Sequence, residues 1–340
     1  GSPTLRFTHR TARVTIVLTD YTEGLASVQL TGLSTEGDNP DIIVPYDKGS
    51  NTYTALVAPQ SVAAGTTFIT CTFTNGKTFV YKMKNATVWQ AGGEYTYTVS
   101  LAAAKDLGYT IESNGSYTVY NADGLLAWNK AAQKDESINC TLTADIDLTG
   151  KEWTQVGTWP PGYSGIFNGQ GHRITGLNFS AATTELFGLL NERGVIKNLQ
   201  LIDVNLDGSS GGSAGMVDRN HGQIIACSVT GKISAYGRTS SIADLNYGSI
   251  TACWFNGTLE EYESGAIVRH NYAYITSCYW GGNAGQGVFS NLGGKVDATK
   301  VDGATVKWQT AVDGMNTALT NNDYQWALGT DGLPVLQKKQ

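Results

Sequence analysis

The chain repeats itself. Asn220-His221-Gly222-Gln223-Ile224-Ile225-Ala226-Cys227-Ser228-Val229 is echoed by Asn246-Tyr247-Gly248-Ser249-Ile250-Thr251-Ala252-Cys253-Trp254-Phe255. A third copy reads Asn271-Tyr272-Ala273-Tyr274-Ile275-Thr276-Ser277-Cys278-Tyr279-Trp280. The copies start 26 and 25 residues apart. A degraded fourth copy precedes them at Gly194-Val195-Ile196-Lys197-Asn198-Leu199-Gln200-Leu201. A fixed period of this size is the mark of a solenoid or related array, because one short unit cannot bury its apolar face alone.

Within each copy the apolar residues fall at 0, +3 and +5, as in Ile224, Cys227 and Val229. A helix asks for 3.6 and a straight strand for 2. A step of three followed by a step of two reads as a corner and then a strand. Gly231, Gly257 and Gly282 are expected to close those strands in turns, where φ > 0 costs glycine little. Each unit therefore reads as one coil of a right-handed parallel β-helix, with Ile196, Ile224, Ile250 and Ile275 in one interior column and Leu199, Cys227, Cys253 and Cys278 in another. A stack of ordinary antiparallel strands is the competing reading.

Composition narrows the setting. Only 15% of residues are charged, 41% are hydrophobic, and the net charge is −6. No apolar run approaches the length of a membrane-spanning helix, and an acidic chain lacks the basic surface that nucleic acid requires. The five cysteines show no metal-ligand spacing and read as small buried hydrophobes, though neighbouring coils can bring two ladder cysteines within disulfide range. No cofactor or metal is expected. Gly1-Ser2-Pro3 is not a signal peptide, and more sequence is expected upstream in the natural protein.

Residues 1–101 form short alternating segments, such as Ala12–Leu18, Ala26–Leu30, Asn51–Val57 and Glu94–Leu101, separated by turn residues. That pattern predicts an antiparallel β-sandwich. Here Leu5-Arg6-Phe7-Thr8-His9, Val57-Ala58-Pro59-Gln60, Gly76-Lys77-Thr78-Phe79-Val80-Tyr81 and Ala91-Gly92-Gly93-Glu94-Tyr95-Thr96-Tyr97-Thr98-Val99 resemble the C-terminal domain of fimbrillin-type proteins, the type V pilus subunits and accessory proteins of Gram-negative anaerobes. The resemblance implies a secreted protein at the cell surface, in the outer membrane or fimbrium, used in adhesion or assembly. It also implies pilus subunits as partners, joined by strand addition.

Residues 102–117 read as a linker and 118–340 as the β-helix with its caps. Leu125, Trp128 and Ala132 recur at helical spacing and predict a short helix closing the open end of the solenoid. The succession Asp145-Ile146-Asp147-Leu148, Trp153, and Gly165-Ile166-Phe167-Asn168-Gly169-Gln170-Gly171-His172-Arg173-Ile174-Thr175-Gly176-Leu177 is similar to the entry to proteins carrying the GLUG repeat. Those repeats occur in large surface proteins, including some bacterial immunoglobulin-cleaving metallopeptidases, apart from the catalytic domain. The resemblance implies a scaffold or binding module. Trp308, Val312, Met315 and Leu319 share a helical stripe, and the segment to Gln340 is expected as a second cap.

Chemistry is thin. Asp145 and Asp147 share a strand face but suit a solvated face with turn bonds. Asp218, Asp244 and Arg269 occupy aligned positions, a weak cluster for glycoside chemistry, which needs converging acids. Asp203 to Gly208 matches half a calcium loop, yet Ala214 stands where the bidentate Glu belongs. None of His9, His172, His221 and His270 forms HExxH. His221 aligns with Tyr247 and Tyr272 as a stacked column of structural character.

The functional candidates are aromatic. Gln200, Ser228, Trp254 and Tyr279 occupy the outward position between inward columns, so Trp254 and Tyr279 are expected to stack on the surface near Tyr262 and Tyr274 as a ligand-binding platform. Burial beneath a terminal segment is the alternative. The sequence thus predicts an all-β, non-enzymatic surface adhesin that binds a host or microbial glycan or protein. A spacer in assembly and a carbohydrate-active enzyme are the other readings.

Overall fold

The computed structural model describes residues 9–21, 24–37, 39–103, 105–180, 185–208, 212–260 and 262–340. Leu5 to Thr8 of the fimbrillin-like signature lie outside these residues. The chain divides into two compact units, Gly1–Thr110 and Ile111–Gln340.

The first unit contains β1 (Ala12–Thr19), β2 (Leu25–Leu30), β3 (Tyr46–Gly49), β4 (Thr52–Val57), β5 (Gln60–Val62), β6 (Thr67–Phe73), β7 (Thr78–Lys82), β8 (Thr87–Trp89), β9 (Glu94–Ser100) and β10 (Lys105–Asp106). One sheet runs β3-β4-β1-β9 and the other β10-β7-β6-β2, with β5 and β8 as a separate pair. Side chains alternate across a strand. Ala12, Val14, Ile16 and Leu18 of β1 accordingly point inward, against Val28, Leu30, Phe68 and Cys71 of the opposing sheet. Among the described residues pairing is antiparallel as expected except that β1 and β9 run parallel, Arg13 opposite Glu94 through to Thr19 opposite Ser100. Within 102–117, read from the sequence as a linker, β10 joins the sandwich beside β7, and a short strand, Tyr109–Ile111, straddles the division between the units.

The second unit is a parallel β-solenoid of about 6 turns. On one face Cys140–Leu142, Ile166–Asn168, Val195–Lys197, Gln223–Ile225, Ser249–Thr251 and the start of Tyr274–Gly282 pair in succession, all parallel. Ile196, Ile224, Ile250 and Ile275 form the expected buried column. The corner that sets the +3 step is a residue in the left-handed region: Asn198 (φ 55°), Ala226 (51°), Ala252 (54°) and Ser277 (49°). Such a conformation costs an L-residue about 1–2 kcal/mol. Hydrogen bonds between coils offset that cost, with Ala226 N–H donating to Thr251 O and Ala252 N–H to Thr276 O, both at 2.9 Å.

Gly282 ends the strand Tyr274–Gly282 at φ 83° as expected, but Gly231 and Gly257 act differently. Strands run on through Gly231 to Ala235 and through Gly257 to Glu260. A Cβ on Gly257 would lie 2.0 Å from the Gly231 carbonyl oxygen, so this column is glycine because backbones approach closely in mid-strand. The asparagine that opens each copy is buried. Asn220 Nδ2 donates to Asn246 Oδ1 (2.8 Å), Asn246 to Asn271 (2.8 Å) and Asn271 to Asn291 (3.0 Å). A ladder of amides thereby satisfies one polar row inside the stack.

Helix α1 (Ala122–Ala132) begins where Asn121 Oδ1 accepts the Gly124 N–H. It buries Leu125, Trp128 and Ala132. Trp128 meets Phe167 and Tyr163 at centroid distances of 5.1 and 5.8 Å. Helix α2 (Trp308–Thr317) and the hairpin Tyr324–Leu328 with Pro334–Lys338 form the C-terminal segment. It lies along the solenoid flank: Ala311, Val312, Met315 and Trp326 pack on the corner alanines Ala226 and Ala252 and on Trp254.

Candidate functional site

That packing corrects the expected aromatic platform. Trp254 is 1% exposed. Its ring meets Trp308 at 5.1 Å and Trp326 at 6.0 Å. Tyr279 is half-buried beneath α2, and a Cβ on Gly314 would lie 2.1 Å from its hydroxyl. The outward column Gln200–Ser228–Trp254–Tyr279 is in register as predicted, but the C-terminal segment covers it. Gln200 Oε1 accepts the Leu336 N–H at 3.2 Å. The physical reason is apolar area: two large rings beside two alanine corners gain more from a cover than from water. Tyr262 and Tyr274 are exposed, at 89% and 64%, but the structure does not bring them together with Trp254. Tyr274 starts a strand opposite Ser249, and Tyr262 sits in a turn.

The exposed aromatic column is a different one. His221, Tyr247 and Tyr272 follow the ladder asparagines. Their backbones are pinned, Tyr247 N–H donating to Asn220 O and Tyr272 N–H to Asn246 O, each at 2.8 Å. The rings stack at 4.8 Å and 17°, then 4.5 Å and 10°. Tyr247 is 41% and Tyr272 39% exposed. Burial, and then the neighbouring Tyr272, push the Tyr247 phenol above its ordinary value. His221 ends the stack in a groove of about 330 Å³, shared with Pro160, Pro161, Leu189, Glu192 and Arg219. Asn191 ties this groove together by donating to the Pro161 carbonyl at 2.8 Å. Trp159, next in sequence, is 78% exposed. The sequence signal for the column was its alignment. Its exposure had no local signal.

Two of the three aligned charges pair, while Asp218 meets Arg219 at 3.4 Å. Arg269 and Asp244 are both buried and paired as a fork, Nε to Oδ1 at 2.5 Å and Nη2 to Oδ2 at 2.8 Å. Glu263 adds a contact at 3.3 Å. Burial, then the Asp244 charge, raise the Asp218 carboxyl above its ordinary value. A guanidinium held by two carboxylates is geared to hold neighbouring coils together. Asp147 makes the expected turn bonds, its Oδ1 accepting the Thr149 N–H and hydroxyl, whereas Asp145 bonds to the next coil, its Oδ1 accepting the Arg173 N–H (3.0 Å) and facing His172 Nδ1 (3.1 Å). Among the described residues, no group of three His, Cys, Asp or Glu is placed to hold a metal, and no helix is long and apolar enough to cross a membrane.

Residues 2–119 match the fimbrillin-like family. A protein of Evansella cellulosilytica, provisionally named a Gly-rich membrane protein, is 30% identical over 105 residues, covering 28% of this chain. The chain spans only 12% of that relative's length. The fold is similar to a crystal structure from Bacteroides ovatus, provisionally named an immunoglobulin A1 protease, at 17% identity and a TM-score of 0.49, covering 69% of this chain and 96% of that one. The N-terminal region is thus fimbrillin-like, which indicates a surface or pilus-related protein.

Proposed function

We propose that this chain is a non-enzymatic adhesin, set at the outer membrane or fimbrium of a Gram-negative cell, whose solenoid presents a binding face for a surface glycan or protein. The face is the corner carrying His221, Tyr247 and Tyr272 with the groove beside Arg219. One observation carries this: a stack of three aromatic rings beside the amide ladder, Tyr247 and Tyr272 exposed and His221 half-buried, next to a groove with both apolar and charged walls. Rigid aromatic contact area loses little entropy on binding. The fimbrillin-like region supports the surface setting, and pilus subunits joining by strand addition are the expected assembly partners. The solenoid is of the GLUG-repeat kind in this reading.

The test is glycan- and matrix-protein array binding with the whole chain, repeated with His221→Ala combined with Tyr272→Ala. Binding that the double substitution lowers by at least about tenfold, equivalent to about 1.4 kcal/mol, supports the corner. Binding unmoved by it removes the corner from the reading. No binding at all favours the second reading, a spacer, which the uninterrupted Asn220–Asn291 ladder supports by its stiffness.

A further inference from the structure

The regular stack is broken at the strand Gln200–Gly208, and a cleft lies at that break. From Gln200 to Gly208 the strand pairs with Ser228–Ala235, but the register shifts between Leu201 and Val204. Leu201 faces Val229 and Val204 faces Gly231, so Ile202 and Asp203 bulge opposite Thr230. The next coil pairs with Ser228–Ala235 without a shift. Asp203 at the bulge has φ 52°, a left-handed conformation uncommon outside glycine. Its N–H, turned out of the ladder, donates to Thr230 Oγ1 at 2.9 Å. Bulges re-aim side chains and concentrate next to sites, and held backbone strain clusters there too.

Asp203 opens onto a cleft of about 200 Å³ between the solenoid flank and the C-terminal hairpin. Arg173, Thr230 and Asn256 line it from neighbouring coils, and Asp331 lines it from the hairpin turn. Leu333, Pro334 and Val335 add an apolar wall. Asp331 Oδ1 accepts the Leu333 N–H at 3.0 Å, which fixes the carboxylate and leaves Oδ2 for other donors. We infer that this cleft binds one neutral hexopyranose unit, such as the terminal residue of a glycan.

The chemistry selects that class. Two carboxylates accept hydrogen bonds from vicinal hydroxyls, Arg173 donates to them, and the Asn256 amide does both. One guanidinium against two carboxylates disfavours an anionic ligand. The carboxylates come without a third metal-ligating partner among the described residues, so the set does not suit a divalent cation. A water takes about 30 Å³ of liquid volume, so the cleft has room for a single ring and not for an oligosaccharide. The apolar wall suits the C–H face of a pyranose, and a small pocket with a few convergent polar groups is the usual form of such a site. This site lies apart from the aromatic corner and does not rest on it.

The test titrates the whole chain with the methyl glycosides of glucose, galactose, mannose and N-acetylglucosamine, and with N-acetylneuraminic acid as the anionic probe, read by saturation-transfer NMR and calorimetry. One or more neutral glycosides should saturate at millimolar concentration. Asn256→Ala and Asp331→Asn should each weaken that binding about tenfold, as expected for one lost hydrogen bond to a charged or amide group, with the melting temperature unchanged. His221→Ala should leave it untouched, which separates this site from the corner. If Asn256→Ala lowers the melting temperature, Asp331→Asn on the exposed turn decides alone. No saturable neutral glycoside, a preference for the anionic sugar, or binding that survives Asp331→Asn overturns the assignment.

Discussion

Two aromatic columns run through the same coils and meet opposite fates. Ser228, Trp254 and Tyr279 lie under the C-terminal segment, while Tyr247 and Tyr272 face solvent, with His221 half-buried at the end of their stack. Both columns arise from the same rule, that stacking coils places like positions above one another. The difference lies in the neighbouring corner. Beside Trp254 the corner residues are Ala226 and Ala252, small enough for a helix and hairpin to settle closely. Beside Tyr247 the neighbours are a charged coil edge with Arg219 and a groove. A column's register follows from the repeat. Its exposure follows from what the rest of the chain can cover.

The largest expected effect tests the cover itself. Trp326 is 1% exposed and its Nε1 donates to Ala252 O at 2.9 Å. Trp326→Ala should cost about 3–5 kcal/mol, as for other buried aromatic truncations. Tyr272→Ala, in the open column and stacked on Tyr247, should cost no more than about 1.5 kcal/mol, the worth of one aromatic pair. Urea denaturation of the two variants measures both. Comparable losses would mean that the open column supports the stack as much as the covered flank does, and the contrast would fail.

The buried thiols of the solenoid, Cys253 and Cys278 in one column and Cys140 in register with the isoleucines, sharpen the contrast with the sandwich. Burial holds the Cys140, Cys253 and Cys278 thiols well above their ordinary value, and pushes Cys71 of the sandwich up to about 12. These groups are protonated in the fold and ionise in the unfolded chain near about pH 8.5. Their contribution to stability is therefore complete below that pH and is lost as pH rises above it, at about 1.4 kcal/mol per pH unit for each thiol. Three such thiols in the solenoid against one in the sandwich predict that the solenoid's unfolding transition moves down faster between about pH 8 and pH 10. Calorimetry across that range reads it, and a solenoid transition that shifts no faster than the sandwich one contradicts the burial of the ladder.

How much of this was written in the sequence depends on separation along the chain. The Ile224 and Cys227 columns were readable because a coil sets its own corner, and α1 because Leu125, Trp128 and Ala132 carry its period. The parallel pairing of β1 with β9 was not readable, since alternation is the same for parallel and antiparallel neighbours. The strand-interior glycines were misread as turns because a close backbone approach and a positive φ ask for the same residue. The burial of Trp254 was open, because an outward apolar column fits a platform and a docking surface equally. The meeting of Asp203 with Asp331 across the cleft had no local signal at all: one belongs to a bulge and the other to a distant hairpin turn.

The finest test lies within the covered flank. Trp254 and Trp326 are equally buried and touch each other, but only Trp326 has a partner for its indole N–H. Trp254 Nε1 is buried with no hydrogen-bond partner, whereas Trp326 Nε1 reaches Ala252 O. Replacing either by Phe removes the same atoms from similar packing, so the transfer and cavity terms nearly cancel in the comparison. What remains is polar. Trp326→Phe loses a hydrogen bond worth about 0.5–1.5 kcal/mol and strands a carbonyl, while Trp254→Phe removes a donor whose burial costs about 1–3 kcal/mol. With the two contributions added, Trp254→Phe should be milder by about 1.5–4.5 kcal/mol, close to neutral in melting temperature. Equal losses would show that the Trp254 N–H is satisfied in solution, and that the C-terminal segment closes over this flank with a partner for every polar group.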